Sequence, residues 1–380
     1  MQALILAGGE GTRLRPLTLT SPKPAMTLVD RPFIAYMVDW VARHGVTEVV
    51  IACGFGADAV RKALGDEFEA VSRITYVEEP EPLGTAGPLR LAAEKGLLEE
   101  RFLVLNGDLL TDLDLGALIA SHAEHRATVT LALHSVADPT SYGLVRRSGG
   151  PSAPGESPAL AGGEVLEFLE KPDPAEIDTD EVNAGAYVVE RSVVEMIAPG
   201  RMCSIEREIF PQLVGEGLYG RRLDGYWMDV GTPERYLEAS WDILEGAVRT
   251  DVPVDDAGMA VAAGALVDQA ATVEAPALLG DEVAIGPGAA VGPRAVIGRA
   301  TAIGERARVA GSALLGDCTV GAEAEIREAI LARGVTVGAG ARIGAGSVVG
   351  GGARIEAGAE LEPGSRIEPG AHVRPQAVAP

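Results

Sequence analysis

The chain has 380 residues, 47% of them apolar, with 48 glycines, 4% aromatic residues and a net charge of −23. That length is enough for two domains with full cores, and the acidity argues against nucleic acid or an anionic membrane as a partner. No long apolar run and no basic-then-apolar leader stands in the sequence, so a cytoplasmic protein is expected. The three cysteines, Cys53, Cys203 and Cys318, are too few and too widely spaced for a disulfide framework or a zinc site.

The first segment, Ala3-Leu4-Ile5-Leu6-Ala7, is a short apolar run that predicts a buried parallel strand. It breaks at Gly8, Gly9 and Gly11, then delivers Thr12, Arg13, Arg15 and, between two prolines, Lys23. Glycines after a strand let the backbone approach a bulky anion with its N–H groups, and Arg13 and Lys23 supply the opposing charge. A helix is predicted over 33–44, with Gly45 ending it. Strands over 48–54 and 73–77 flank a helix over 58–64, and this alternation predicts a parallel α/β sheet with ligands at the strands' carboxyl ends. Leu83-Gly84-Thr85-Ala86-Gly87 permits close backbone approach, with Thr85 as a candidate cap for the next helix. The strand over 101–105 ends in Asn106-Gly107-Asp108. A carboxylate there suits a hard cation such as magnesium, or simply starts a turn. Asp112 and Asp114 are assigned to turn and cap roles.

A strand over 127–136 is followed by Tyr142-Gly143-Leu144-Val145, which opens a hairpin whose tip over 151–163 is rich in Gly, Pro, Ser and Ala and is expected to be mobile. Glu164 to Pro172 alternates as a strand and carries the pair Glu170-Lys171. On the surface such a pair would contribute little. Asn183 lies on a further strand over 182–189. Ser204 starts a helix with a possible capping box, and Asp229 follows the aromatic pair Tyr226-Trp227. A last helix runs from about 239 to 246. From Val273 the apolar residues step by six, through Leu279, Ile285, Val291, Ile297, Ile303, Val309 and Leu315. After a slip of one residue come Val320 and Ile326, and the series resumes from Leu331 to Val373. This is the pattern of a left-handed parallel β-helix built of hexapeptide repeats, in about six coils.

The opening string, GGEGTRLRPLTLTSPKP, resembles the GGxGTRLxPLTxxxPKP signature of the sugar-1-phosphate nucleotidyltransferases, and the resemblance extends over the whole chain. It implies a Rossmann-like mixed, mostly parallel sheet flanked by helices over 1–245, a linker over 246–260 and the β-helix over 261–380. It implies transfer of a nucleotidyl group from a nucleoside triphosphate to a sugar 1-phosphate with Mg2+ as cofactor. Residues Leu6, Ala7, Gly8, Gly9, Gly11, Thr12, Arg13, Lys23, Gly84, Thr85, Ala86 and Asp108 would then hold the nucleotide. Gly143, Glu170, Lys171 and Asn183 would hold the sugar phosphate, and Asp108 and Asp229 the metal. Arg13, Lys23, Asp108, Lys171 and Asp229 are the expected catalytic set. A phosphate oxygen is already a nucleophile, so no Ser, Cys or His base is needed, and catalysis reduces to positioning and charge stabilisation.

LGTAGPL, SIEREIFP and GYWMDVGTPERY are most similar to the guanylyltransferase members. GTP with mannose 1-phosphate, giving GDP-mannose, is the first expectation. The alternatives are dTTP or UTP with glucose 1-phosphate, and a non-catalytic regulatory subunit that binds nucleotide sugar. A homo-oligomer with β-helix contacts is expected, because open coil edges and flat faces are ready contact surfaces.

Overall fold

The computed structural model describes residues 1–54, 56–65, 68–151 and 162–375. Packing divides the chain into two units, Met1–Gly9 with Ile34–Trp227 and Glu10–Phe33 with Met228–Pro380.

The first unit is built on a nine-stranded sheet. Its strands are β1 (Gln2–Ala7), β2 (Glu48–Cys53), β3 (Arg73–Glu78), β4 (Arg101–Asn106), β5 (Val129–Ser135), β6 (Gly143–Arg147), β7 (Gly163–Glu170), β8 (Glu181–Glu190) and β9 (Leu218–Arg222). Their spatial order is β3-β2-β1-β4-β8-β5-β9-β7-β6. The first four are parallel, and β8 joins antiparallel to both β4 and β5, so the sheet is mixed. Leu4, Ile5, Val50, Ile51, Leu103 and Val104 are buried, as expected where helices cover both faces of a parallel sheet. Those helices are α1 (Phe33–Arg43), α2 (Ala57–Leu64), α3 (Gly87–Glu94) and α4 (Leu115–His125).

The apolar stripe of α1 packs inward as its spacing requires, with Ile34, Met37, Trp40 and Val41 buried. The Trp40 indole donates to the Leu113 carbonyl at 2.9 Å. Asp114 caps α4 by accepting from the Ala117 N–H at 3.1 Å. Asp112 accepts from the Tyr226 N–H at 2.7 Å, so both acids serve the turns assigned to them. Strands β6 and β7 form the expected hairpin, with Gly143 opposite Glu170. The tip expected to be mobile over 151–163 lies largely outside the described residues.

In the second unit, helix α6 (Pro233–Leu244) starts six residues before the sequence placed it; α5 (Phe210–Leu213) belongs to the first unit. The reason is Thr232, whose hydroxyl accepts from the Arg235 N–H at 3.3 Å, with Pro233 at the first helical position. Beyond it, strands of two or three residues stack into three parallel sheets of seven, seven and six strands, beginning at Met259–Val261. This is the β-helix. Ala277 pairs with Ala295 and Ala284 with Ala302, so one coil takes 18 residues, or three hexads.

The slip falls elsewhere than the sequence suggested. Leu314, not Leu315, pairs with Ile297 and Leu331, and Leu314 is fully buried. Two steps of five, Val309 to Leu314 and Ile326 to Leu331, therefore shorten the same corner in consecutive coils. The corners also change in kind along the stack. Glu282, Arg294, Ala300, Arg306, Asp317, Glu323 and Glu328 hold φ between 45° and 61°, and Gly288 and Gly311 share that left-handed conformation, whereas from Gly334 to Gly370 the described residues in it are all glycines.

Candidate active site

In the first unit the ends of β1 and β4 approach so closely that only glycine fits between them. The Gly107 N–H donates to the Leu6 carbonyl at 2.9 Å, and a Cβ on Gly107 would overlap that oxygen. A Cβ on Gly8 would likewise overlap the Glu79 carboxylate, while beside Gly9 the space is open. Leu6 and Ala7 end β1, and the partly exposed Asp108 follows Gly107. The carboxyl ends of β1, β3 and β4 thus present a glycine ridge, Glu79 and Asp108, where a parallel sheet takes its ligand.

The segment from Leu83 to Ala86 is zipped to the start of a distant helix. The Cys203 N–H donates to the Leu83 carbonyl at 3.0 Å, and the Ala86 N–H to the Cys203 carbonyl at 2.9 Å. Gly84 holds φ +74°, and a Cβ there would overlap the Cys203 carbonyl. The sequence cast Thr85 as a cap for α3, and the structure does not use it so. No side chain caps that helix. The Thr85 hydroxyl donates to Glu206 Oε2 at 2.6 Å and accepts from the Ile205 N–H at 2.9 Å. Ile205–Ile209 form a π-helix, whose cap Ser204 accepts from the Arg207 N–H at 3.2 Å and takes Glu208 Oε1 on its own N–H at 3.0 Å. Glu79 Oε2 accepts from the Leu83 N–H at 3.1 Å. Burial pushes the Glu79 carboxyl up, against the pull of that N–H.

Glu79 and Glu206 were not legible as site residues. The first sits in an acidic run that reads as solvated surface, and the second inside a capping pattern.

Among the residues expected to hold the sugar phosphate, a Cβ on Gly143 would stand 2.7 Å from the Phe168 ring and 3.0 Å from Glu170 Oε2. Burial, and next the charge of Glu206, raise the Glu170 carboxyl above its ordinary range. Lys171 has φ +57°, and its N–H donates to the Tyr142 carbonyl at 3.0 Å. A non-glycine residue in that region is strained, and such strain concentrates at functional sites. Asn183 Oδ1 accepts from the Gly185 N–H at 3.0 Å, and its Nδ2 donates to the Tyr187 hydroxyl at 2.8 Å. The Trp227 indole donates to the Ala184 carbonyl at 2.8 Å and meets Tyr142 edge-on.

In the second unit, Gly11 holds φ +60° and starts the short 3-10 turn Thr12–Leu14, with the Thr18 hydroxyl donating to its carbonyl at 2.9 Å. Arg13 Nη2 stands 3.8 Å from Asp229 Oδ2, and Lys23 Nζ 3.9 Å from Asp229 Oδ1. Arg13 is exposed, whereas Lys23 is buried and lies over the Phe33 ring. Asp229 is therefore gathered with both expected cations. No group of three or more His, Cys, Asp or Glu able to hold a metal occurs among the described residues. Magnesium asks for less than that, because it takes one or two carboxylates and fills its shell with water and phosphate oxygens. Asp108 and Asp229 are hard donors of the right kind.

Residues 2–246 match the family described as Nucleotidyl transferase, and residues 273–369 match the GMPPB C-terminal domain. A mannose-1-phosphate guanylyltransferase of Mycobacterium tuberculosis is 37% identical over 70% of this chain and 73% of its own length. A mannose-1-phosphate guanyltransferase of Schizosaccharomyces pombe is 41% identical over 62% of each chain. The crystal structure of HddC from Yersinia pseudotuberculosis superposes with a TM-score of 0.53 at 26% identity, over 64% of this chain and 99% of that one.

Proposed function

The chain belongs to the nucleotidyl transferase family, and from that premise we propose that it transfers the guanylyl group of GTP to mannose 1-phosphate, giving GDP-mannose and pyrophosphate. The observation that carries the base is Glu79, a half-buried carboxylate set against Gly8 at the strand ends. Guanine offers two adjacent donors, N1–H and the N2 amino group, to a single acceptor. Thymine and uracil offer one N–H between two carbonyl oxygens, which a carboxylate repels. A buried acceptor left without its donor discriminates strongly against the wrong base.

A sugar-phosphate oxygen attacks the α-phosphorus of GTP. The bond from that phosphorus to the bridging oxygen breaks, and pyrophosphate leaves with the electron pair. The nucleophile is already anionic, so no side chain removes a proton. Gly8, Gly9, Gly11 and Thr12 cradle the triphosphate, Arg13 offsets charge on the departing pyrophosphate, and Lys23 serves the α- and β-phosphates. Lys171 aims the sugar phosphate, while Gly143, Glu170 and Asn183 line its pocket. Asp108 and Asp229 would hold the magnesium ion, which supplies charge neutralisation between two anionic reactants. We assign this chemistry to residues 1–245, joined through 246–260 to a β-helix that serves homo-oligomer contacts. In support of that second role, Val261, Leu266 and Val267 of the first coil are exposed.

Pyrophosphate release from five nucleoside triphosphates, each paired with mannose 1-phosphate or glucose 1-phosphate, with magnesium and with EDTA, tests the reading. The expected result is magnesium-dependent turnover led by GTP with mannose 1-phosphate. Faster turnover of dTTP with glucose 1-phosphate would overturn the base assignment.

A further inference from the structure

We propose that Glu206 is a second sugar-reading carboxylate, accepting a hexose hydroxyl through Oε1 beside Glu170 while its Oε2 anchors the base loop; this rests on the guanylyltransferase reading above. The two oxygens of Glu206 are unequally used. Oε2 accepts from the Thr85 hydroxyl at 2.6 Å and from the Ser204 hydroxyl at 2.8 Å. Oε1 makes no hydrogen bond among the described residues, although the side chain is half-buried.

The turn that carries Glu206 lies against the strands that carry Glu170 and Asn183, because Phe210 at its end packs edge-on against Phe168 at 5.5 Å and Tyr187 at 5.0 Å. After burial, Glu206 is the foremost cause of the upward push on both Glu170 and the Tyr187 hydroxyl. Tyr187 in turn receives Asn183. Two carboxylates whose fields overlap in a half-buried pocket oppose each other unless donors come between them. A hexose brings neighbouring hydroxyls, each a donor, and one carboxylate on each side matches a pair of them.

The local backbone points the same way. Glu206 lies in the π-helical turn Ile205–Ile209, a wide, costly turn found disproportionately at functional sites. A purely structural role at Thr85 needs one acceptor oxygen, and an amide would provide it. That difference makes the inference testable. In Glu206→Gln the amide oxygen keeps Thr85 and Ser204, while the NH2 group replaces the Oε1 acceptor by a donor.

Steady-state kinetics of Glu206→Gln should show KM for mannose 1-phosphate rising about tenfold or more, the loss expected when a buried polar partner is mismatched. KM for GTP and the melting temperature should stay close to wild type. Thr85→Val, which removes the anchor and leaves the carboxylate, should show the opposite split, with KM for GTP rising more. An unchanged sugar KM in Glu206→Gln would overturn the inference, and so would an equal rise in both constants. The wild type is assayed first over the full substrate panel. If it prefers another pair, the guanylyltransferase reading fails, and Glu206→Gln is then judged by KM for the hexose 1-phosphate that the enzyme does use.

Discussion

Lys171 spends backbone energy on its position. With φ +57° it stands where glycine is at ease and a lysine is strained by about 1 kcal/mol or more. Lys171→Gly should therefore leave the melting temperature unchanged or slightly higher while kcat/KM for mannose 1-phosphate falls about a hundredfold or more, since the positioning charge is gone. A drop in both would mean that the lysine is structural. Glu79 makes a different demand. Burial raises its carboxyl, so it takes up a proton at higher pH than an exposed glutamate does. Once protonated it no longer offers a free acceptor to guanine. The acid limb of kcat/KM for GTP should accordingly lie above the ordinary glutamate range and flatten in Glu79→Gln. Identical pH profiles for the two proteins would remove Glu79 from base recognition.

At the scale of elements, the β-helix corners provide a reciprocal experiment. Ala300 and Gly352 occupy the same corner in different coils, both at positive φ, and a Cβ on Gly352 would meet nothing within 4 Å. Ala300→Gly should stabilise and Gly352→Ala destabilise, each by about 1 kcal/mol, through backbone strain alone. Urea unfolding midpoints would read both. The elements also show what a sequence reveals. The stripe of α1 and the six-residue step of the coils were legible because each is a local period set by burial. The choice of Leu314 over Leu315 was not, because two adjacent leucines fit the period equally, and stacking on Ile297 and Leu331 decides between them. The Gly-rich opening, Asp229 with its two cations, and the Gly143–Glu170 pairing all follow positions the sequence marked. Thr85 does not cap α3, and Glu79 and Glu206 carried no mark in the sequence, because the hydrogen bonds of all three are made by contacts that no local pattern encodes. Thr85 and Glu206 are 121 residues apart.

For the whole molecule, the coils form a ladder in which each contacts chiefly its neighbours. Val337 pairs with Ile355, 18 residues on. Removing Gly338–Ile355 joins Val337 to Glu356, which stands where Gly338 stood, and the inward set is kept. The shortened protein should fold with its β-type circular dichroism and only a modest loss of melting temperature. Removing one residue fewer leaves a seven-residue step where the other coils take five or six, and that variant should melt well below the whole-coil deletion. Equal behaviour of the two deletions would mean that coil register does not hold the stack together. The first unit has no such freedom, since in its sheet β1 lies between β2 and β4, strands drawn from distant parts of the chain. The two halves of the gene are therefore open to different histories. An in-frame loss or duplication of one coil changes the stack by a single rung of about 4.8 Å, so the length of this domain can vary in whole steps while the sheet of the first unit must keep every strand it has.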